Sequence, residues 1–279
     1  MKPVYFDYER PSSLDEATQL LAESGIQSKT IAGGQSLGPM LNLRIAQPEL
    51  LVDITAIAEL RIVSEHKEYV DIGSCVTHAD VEDGRIPDVA RGLLSYVAQR
   101  IAYRAVRNRG TLGGSLAHAD PAADWISVFP LLGAEIIVQA RRNVRTMPAE
   151  KFMVSSFITV LQPDELVRTI RVPRLSSDSR WGFFKFNQKA GEFAHAIGGV
   201  LHDPASGRFR AVIGAIETAP IIVPDASTLF QGPFNADIAD RLDKGAVLDL
   251  LDAKGVKDTY TRQLSLVVLK RAAQQASLS

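Results

Sequence analysis

Residues 107–125 read RNRGTLGGSLAHADPAADW. Two adjacent glycines, Gly113 and Gly114, stand between the hydroxyl residues Thr111 and Ser115. Glycine lets a main chain approach a ligand closely and adopt positive φ at little steric cost. Successive N–H groups in such a turn form an anion-binding concavity. Asp120 followed by Pro121 reads as a helix start, the acid as N-cap and the proline at the first helical position. The stretch therefore reads as a phosphate-cradling loop ahead of a helix over residues 121–132. Its spacing matches neither G-x-G-x-x-G nor G-x-x-x-x-G-K-[ST]. A lone Gly-Gly pair equally marks an ordinary surface turn, so a second loop of the same kind upstream decides between the readings.

That loop is Gly33-Gly34-Gln35-Ser36. A short β-type run over 29–32 leads into it and an apolar helix over 37–43 leaves it, with Pro39 in the first turn. Strand, glycine loop and helix start is an anion-binding arrangement, because first-turn N–H groups are unpaired and the helix dipole is positive there. Two such loops suffice to clamp a pyrophosphate. The formal net charge is −1, so main-chain donors rather than clustered lysines and arginines would do the clamping. The pattern points to a dinucleotide, FAD or NAD. A Rossmann unit is not expected, because it needs alternating strands and helices with an acid on the second strand. The strands after Ala134 come instead in antiparallel-looking pairs.

Outside the two loops the chain reads as α+β. Ser12 or Ser13 caps an amphipathic helix that ends at Gly25. Residues 50–54 form a buried strand, 60–64 and 69–73 a hairpin, and Thr77 caps a helix over 79–82. Residues 87–100 read as a longer helix despite Gly92. Strands follow at 134–140, 144–147 and 165–172. A polar linker after Pro173 leads to three antiparallel strands, over 181–188, 194–201 and 209–216, and then to helices over 238–252 and 258–275.

Composition removes several classes of function. With 31 Lys+Arg against 32 Asp+Glu there is no basic excess to neutralise nucleic acid or an anionic membrane. No apolar run spans a bilayer, and no signal-peptide pattern follows Met1. The only cysteine, Cys75, rules out a disulfide within the chain and any all-cysteine iron–sulfur or zinc site. A cytoplasmic protein is expected. If it handles electrons, an organic cofactor carries them here.

TIAGGQSLGPMLNLRIAQPELLVDI (residues 30–54) and NRGTLGGSLAHADPAAD (residues 108–124) resemble the two FAD loops of the flavin subunit of molybdenum hydroxylases. More closely, they resemble the medium subunit of carbon monoxide dehydrogenase-type enzymes in the xanthine dehydrogenase family. FDYERPSSLDEATQLLAE at the start of the chain, and WGFFKFNQKAGEFAHAIGGV from Trp181, extend it over essentially the whole chain in the same order.

The resemblance implies an FAD-binding domain of vanillyl-alcohol-oxidase type over residues 1–173, built of two α+β subdomains, about 1–56 and 57–173. It implies a C-terminal domain over 174–279 with a three-stranded antiparallel sheet and helices. It nominates Ala32, Gly33, Gly34, Gln35, Ser36 and Leu37 for the pyrophosphate, with Thr111, Gly113, Gly114 and Ser115 as the second loop. Asp124 would lie at the adenosine end, accepting from ribose hydroxyls. Ile101, Ala102 and Lys185 would lie near the isoalloxazine, with Phe193 as an aromatic cover and His118 touching the cofactor. On the residues alone, Asp124 also reads as a helix-dipole acid, Lys185 as a solvated strand residue and Phe193 as core. His78 and His118 lack a second ligand at metal-site spacing, and His78 reads as local helix-start structure.

The implied function is an electron-transfer subunit carrying non-covalent FAD, with no catalytic residue of its own. Molybdenum cofactor and iron–sulfur clusters would lie on a large and a small partner subunit, in a dimer of heterotrimers. Two other readings stay open: a self-contained FAD-dependent oxidase or reductase, and a dinucleotide-binding module without redox cycling.

Overall fold

The computed structural model describes residues 1–23 and 26–278. The first helix starts as expected: Ser13 accepts a hydrogen bond from the Glu16 N–H and α1 (Leu14–Ala22) buries Leu14, Ala17 and Leu21. Its expected end at Gly25 lies outside the described residues. Strands β1 (Asp7–Glu9), β2 (Ser28–Ile31) and β3 (Leu50–Asp53), with α2 (Leu37–Asn42) between the last two, form a small parallel sheet in the order β1-β3-β2. The chain thus does supply an alternating β-α-β-α-β unit, contrary to expectation. Its strands of three or four residues are too short to announce themselves by periodicity, and their order is not the Rossmann one.

A second sheet is antiparallel, in the order β4-β5-β10-β6-β7. Its strands are β4 (Val63–Glu65), β5 (Tyr69–Gly73), β6 (Glu135–Gln139), β7 (Val144–Pro148) and β10 (Leu166–Pro173), and the small hairpin β8 (Met153–Ser155) and β9 (Ile158–Thr159) lies between β7 and β10 in sequence. Five short helices connect β5 to β6: α3 (His78–Glu82), α4 (Leu93–Ala98), α5 (Arg104–Arg107), α6 (Leu112–His118) and α7 (Trp125–Leu132). The helix expected over 87–100 shrinks to α4, because Arg91 and Gly92 adopt φ of 51° and 80° and end helical geometry on the N-terminal side. The start expected at Asp120-Pro121 is instead a turn in which the Ala122 N–H donates to Asp120 Oδ1, and α7 begins only at Trp125. Every residue of α7 is buried. A helix apolar all round belongs inside a protein, and α7 is packed against β10 and against the third sheet.

The third sheet has four strands rather than three: β11 (Arg180–Phe186), β12 (Ala196–Asp203), β13 (Arg208–Gly214) and a short β14 (Ile221–Val223). After a 3₁₀ turn at Ile238–Arg241 come α8 (Lys244–Ala253), capped by Asp243, and the long α9 (Thr259–Leu278). α9 lies on β11 and β12 so closely that a Cβ at Gly182 would come within 1.8 Å of the Ala272 carbonyl oxygen. The second and third sheets share one apolar cluster, which joins Val70, Ile136 and Ile170 to Phe183, Ile197 and Val212 around α7. No helix among the described residues is long and apolar enough to cross a membrane.

Candidate functional site

A cleft of about 550 Å³ opens between the loop before α2, the helix α6, the turn after α4 and the loop after β11. That volume lies in the ordinary range for small-molecule sites, about 300–1,000 Å³. Every nominated position lines it: Ala32 to Leu37 before and at the head of α2, Ile101 and Ala102 after α4, Thr111, Gly113, Gly114, Ser115 and His118 at α6, Asp124 before α7, Lys185 on β11, and Phe193 beyond it.

The two glycine motifs are not equivalent. At the first, Gly34 has φ of 69°, a left-handed turn that glycine adopts without a Cβ penalty. Gln35 folds its side-chain amide back onto the Gly33 carbonyl, 3.0 Å away. The main-chain N–H groups of Gln35, Ser36 and Leu37 then meet no acceptor among the described residues. At the second motif the N–H groups are committed. Leu112 donates to the Val76 carbonyl at 3.0 Å, Gly113 to the Ser74 carbonyl at 2.9 Å, and Gly114 to Thr111 Oγ1 at 3.1 Å. Gly113 and Gly114 form the first turn of α6 and neither has positive φ. The expected cradle of N–H groups at this motif is therefore corrected. Its glycines permit close packing: a Cβ on Gly113 would lie 2.4 Å from the Ser74 Cβ. What the motif leaves for a ligand is the hydroxyls of Thr111 and Ser115. The motifs also touch, since a Cβ on Gly33 would fall 2.1 Å from the Arg109 carbonyl oxygen.

Asp124 and Lys185, 61 positions apart, form an ion pair at 2.9 Å with both side chains nearly inaccessible. Lys185 also donates to the Arg100 carbonyl at 2.9 Å. Burial raises the Asp124 carboxyl above its usual range, and the Lys185 ammonium opposes that shift. Asp124 Oδ1 is buried and has no hydrogen-bond partner among the described residues. The expectation that Asp124 serves the adenosine end while Lys185 serves the ring end does not survive. The two groups are one pair, beside the Arg100–Ala102 turn.

That turn is strained. Ala102 has φ of 42°, which costs a non-glycine residue on the order of 1–3 kcal/mol and recurs at ligand clamps. Arg107 holds it, donating to the carbonyls of Ile101 at 2.8 Å and Ala102 at 3.0 Å while its guanidinium pairs with Glu82. Gly191 rests on the same turn; a Cβ there would be 3.1 Å from the Ala102 carbonyl oxygen. Phe193, on this loop, is 65% exposed, which removes the core reading and leaves it an aromatic at the cleft's edge. His118 is half-buried against Phe157, and burial lowers its pKa.

Further side chains line the cleft, Lys29 and His78 among them. Lys29 enters the cleft from β2, and a cation in the strand feeding a glycine loop was the available signal. His78 lines it too, beyond the helix-start role its sequence position implies. Its main-chain N–H does make such a bond, to the Gly110 carbonyl. Its buried ring accepts from Trp125 Nε1 at 3.1 Å, and burial lowers its pKa to about 4, so it is a neutral acceptor at neutral pH. Among the described residues no group of His, Cys, Asp or Glu is placed to hold a metal.

Residues 4–175 match the family described as the FAD binding domain in molybdopterin dehydrogenase. The chain belongs to this family. It is a FAD-binding oxidoreductase subunit. It is 39% identical, over 71% of its length and 67% of the relative's, to the 6-hydroxypseudooxynicotine dehydrogenase complex subunit alpha of Paenarthrobacter nicotinovorans. It is 32% identical to the nicotine 6-hydroxylase medium subunit of the same organism over 99% of both chains. Among solved structures, a chain of the carbon monoxide dehydrogenase of Hydrogenophaga pseudoflava superposes with a TM-score of 0.84 at 30% identity, covering 99% of this chain and 98% of that one.

The residues present fit FAD. Unpaired N–H groups at Gln35, Ser36 and Leu37, with the Thr111 and Ser115 hydroxyls, form a donor set for a pyrophosphate. The unpartnered Asp124 Oδ1 is an acceptor for a ligand N–H or hydroxyl.

Proposed function

We propose that this chain is the FAD-carrying electron-transfer subunit of a multi-subunit molybdenum hydroxylase, passing electrons from iron–sulfur clusters on a partner through its flavin to an external acceptor. The observation that carries the reading is the first glycine loop: main-chain donors left free beside a second motif whose packing holds them in place. The single cysteine supports the division of labour, because iron–sulfur clusters need several thiolates. The chain's own part is to bind, orient and shield the cofactor. Gln35, Ser36 and Leu37 hold the pyrophosphate, Thr111 and Ser115 add hydroxyl donors, and the Ile101–Ala102 turn and Phe193 flank the ring. The Asp124–Lys185 pair supplies a fixed dipole on that side. Bound FAD supplies the electron-carrying chemistry.

The names of the relatives support partners of large and small type, and a dimer of heterotrimers is the assembly we propose. An FAD domain over 1–173 and a C-terminal domain over 174–279 are the matching division of the chain, and a cytoplasmic location goes with it. The purified protein is expected to be yellow and to release FAD, not FMN, on denaturation. Copurification from the native host should bring molybdenum and iron with two further chains. A colourless protein that does not take up FAD overturns the cofactor reading. Turnover of a small substrate by this chain alone overturns the subunit reading.

A further inference from the structure

A second cleft, of about 570 Å³, shares no residue with the first. Three separate stretches meet there: Arg91 from the turn before α4, Ser177 to Arg180 from the linker into β11, and His202, Asn235 and Ser277 from the C-terminal part. Its charged groups are unevenly matched. Arg91 Nη1 donates to the Ser177 carbonyl, and Arg180 Nη1 donates to the Ser277 carbonyl at 3.3 Å. Neither guanidinium pairs with a carboxylate among the described residues, so most of their N–H donors are free. Of the nearby acids, Asp203 is buried and satisfied by the hydroxyls of Ser176 and Ser206 at 2.6 and 2.7 Å. Exposed Asp178 accepts from Ser177 Oγ and from no other group among the described residues. Asn235 Oδ1 already accepts from Asp237 N–H and Arg241, which leaves its amide N–H groups as donors.

Arg91 is also held in an unfavourable shape. Its φ is 51°, and the Trp181 indole N–H fixes its carbonyl at 2.8 Å. Strained residues of this kind persist where surrounding structure over-determines them, and they cluster at ligand clamps.

We propose that this cleft binds a small phosphate-bearing anion, gripped by Arg91 from one side and Arg180 from the other. A planar carboxylate is satisfied by a single guanidinium fork. A tetrahedral phosphate offers oxygens in several directions and accepts forks from two elements at once. The Asn235 amide adds a donor; the serine hydroxyls of the cleft are already bonded within the protein. Bound there, the anion links the turn before α4 to the linker and to the end of α9.

The test uses the full chain loaded with FAD, so that the pyrophosphate site is filled. Inorganic phosphate and ribose 5-phosphate are titrated separately by calorimetry at constant ionic strength, with chloride as control. One saturable site is expected, weakened about tenfold or more by Arg91→Gln and by Arg180→Gln, with the flavin absorption spectrum unchanged. Tighter binding of the ester identifies a phosphorylated metabolite as the natural occupant; equal binding identifies free phosphate. Arg180 is exposed, so its variant carries the test if Arg91→Gln impairs folding. Absence of saturation above the chloride control, or unchanged affinity in Arg180→Gln, overturns the proposal.

Discussion

Replacing Gly33 with alanine tests whether the two glycine motifs work as one device. The added Cβ would stand 2.1 Å from the Arg109 carbonyl oxygen, 2.6 Å from its carbon and 2.8 Å from Gly110 Cα. Real Cβ contacts stop near 3.0 Å, so the loops must separate by at least 0.9 Å (3.0 − 2.1). The obstacle is main chain and is itself anchored: the Gly110 N–H donates to the Val106 carbonyl at 2.7 Å, and the Gly110 carbonyl accepts from the His78 N–H at 2.9 Å. Overpacking of this kind costs about 1–3 kcal/mol. If about 2 kcal/mol of that appears in FAD affinity, the loss is roughly thirtyfold. Gly34→Ala is the informative comparison. Its Cβ has room, with Ile31 Cδ1 at 3.4 Å, but φ of 69° is unfavourable for alanine by about 1–2 kcal/mol. That variant should keep the motifs in contact and bind FAD about tenfold more weakly. Flavin fluorescence quenching on titration into apoprotein measures both, and flavin per chain after gel filtration gives a second readout. Wild-type affinity in Gly33→Ala would refute the idea that contact between the motifs holds the cofactor.

Lys185→Met leaves the Asp124 carboxylate buried without its cation, and removing one partner of a buried pair costs about 3–5 kcal/mol. Chemical denaturation should show that loss and its partial recovery in the double variant with Asp124→Asn; an unchanged midpoint in the single variant would mean the pair is not coupled. His78 predicts a pH effect whose sign follows from its lowered pKa. The folded state resists protonation down to about 4 while the unfolded state protonates near 6.5, so no stability is lost above pH 6.5 and stability falls as pH drops from 6.5 to 4. The drop is about 3 kcal/mol at 1.36 kcal/mol per pH unit, measured as the difference between wild type and His78→Gln in denaturant titrations at each pH. Gly182→Ala should displace α9 from β11, because the new Cβ would lie 1.8 Å from the Ala272 carbonyl oxygen; a stability loss of about 1–3 kcal/mol is expected, and an unaltered melting temperature would show the helix yields freely.

Signals confined to one turn were legible in the sequence. Ser13 caps α1 and Thr77 caps α3 with a reciprocal capping box to Asp80, as the residue types demand. Gly33-Gly34 stands between a strand and a helix where the pattern put it. Misreadings arose where the deciding partner is distant in sequence. Asp120-Pro121 has the chemistry of a helix start, yet the Asp120 side chain serves a turn and α7 begins at Trp125. β14 has three residues and is a strand only because Ala211–Ile213 lies beside it. No window of sequence joins Asp124 to Lys185, since a strand lysine is ordinarily solvated and its acid is 61 residues upstream.

The same reason explains why Gly113-Gly114 was recognisable as part of the site but not for what it does. A Gly-Gly pair signals close approach, and what approaches cannot be read from the pair. At Gly33-Gly34 the approach is to the Arg109 main chain on one side, with free N–H groups on the other. At Gly113-Gly114 both N–H groups are already bonded, to Ser74 and to Thr111, and the neighbour that forbids a side chain at Gly113 is Ser74 itself. One motif presents donors and the other fixes where they point. A clamp of two identical halves would lose affinity through either pair in the same way. This arrangement predicts a difference: substitutions at Gly113 act through the Ser74 contact and should lower the melting temperature of the apoprotein as well as FAD affinity. Substitutions at Gly34 should weaken FAD binding with the apoprotein's contacts intact.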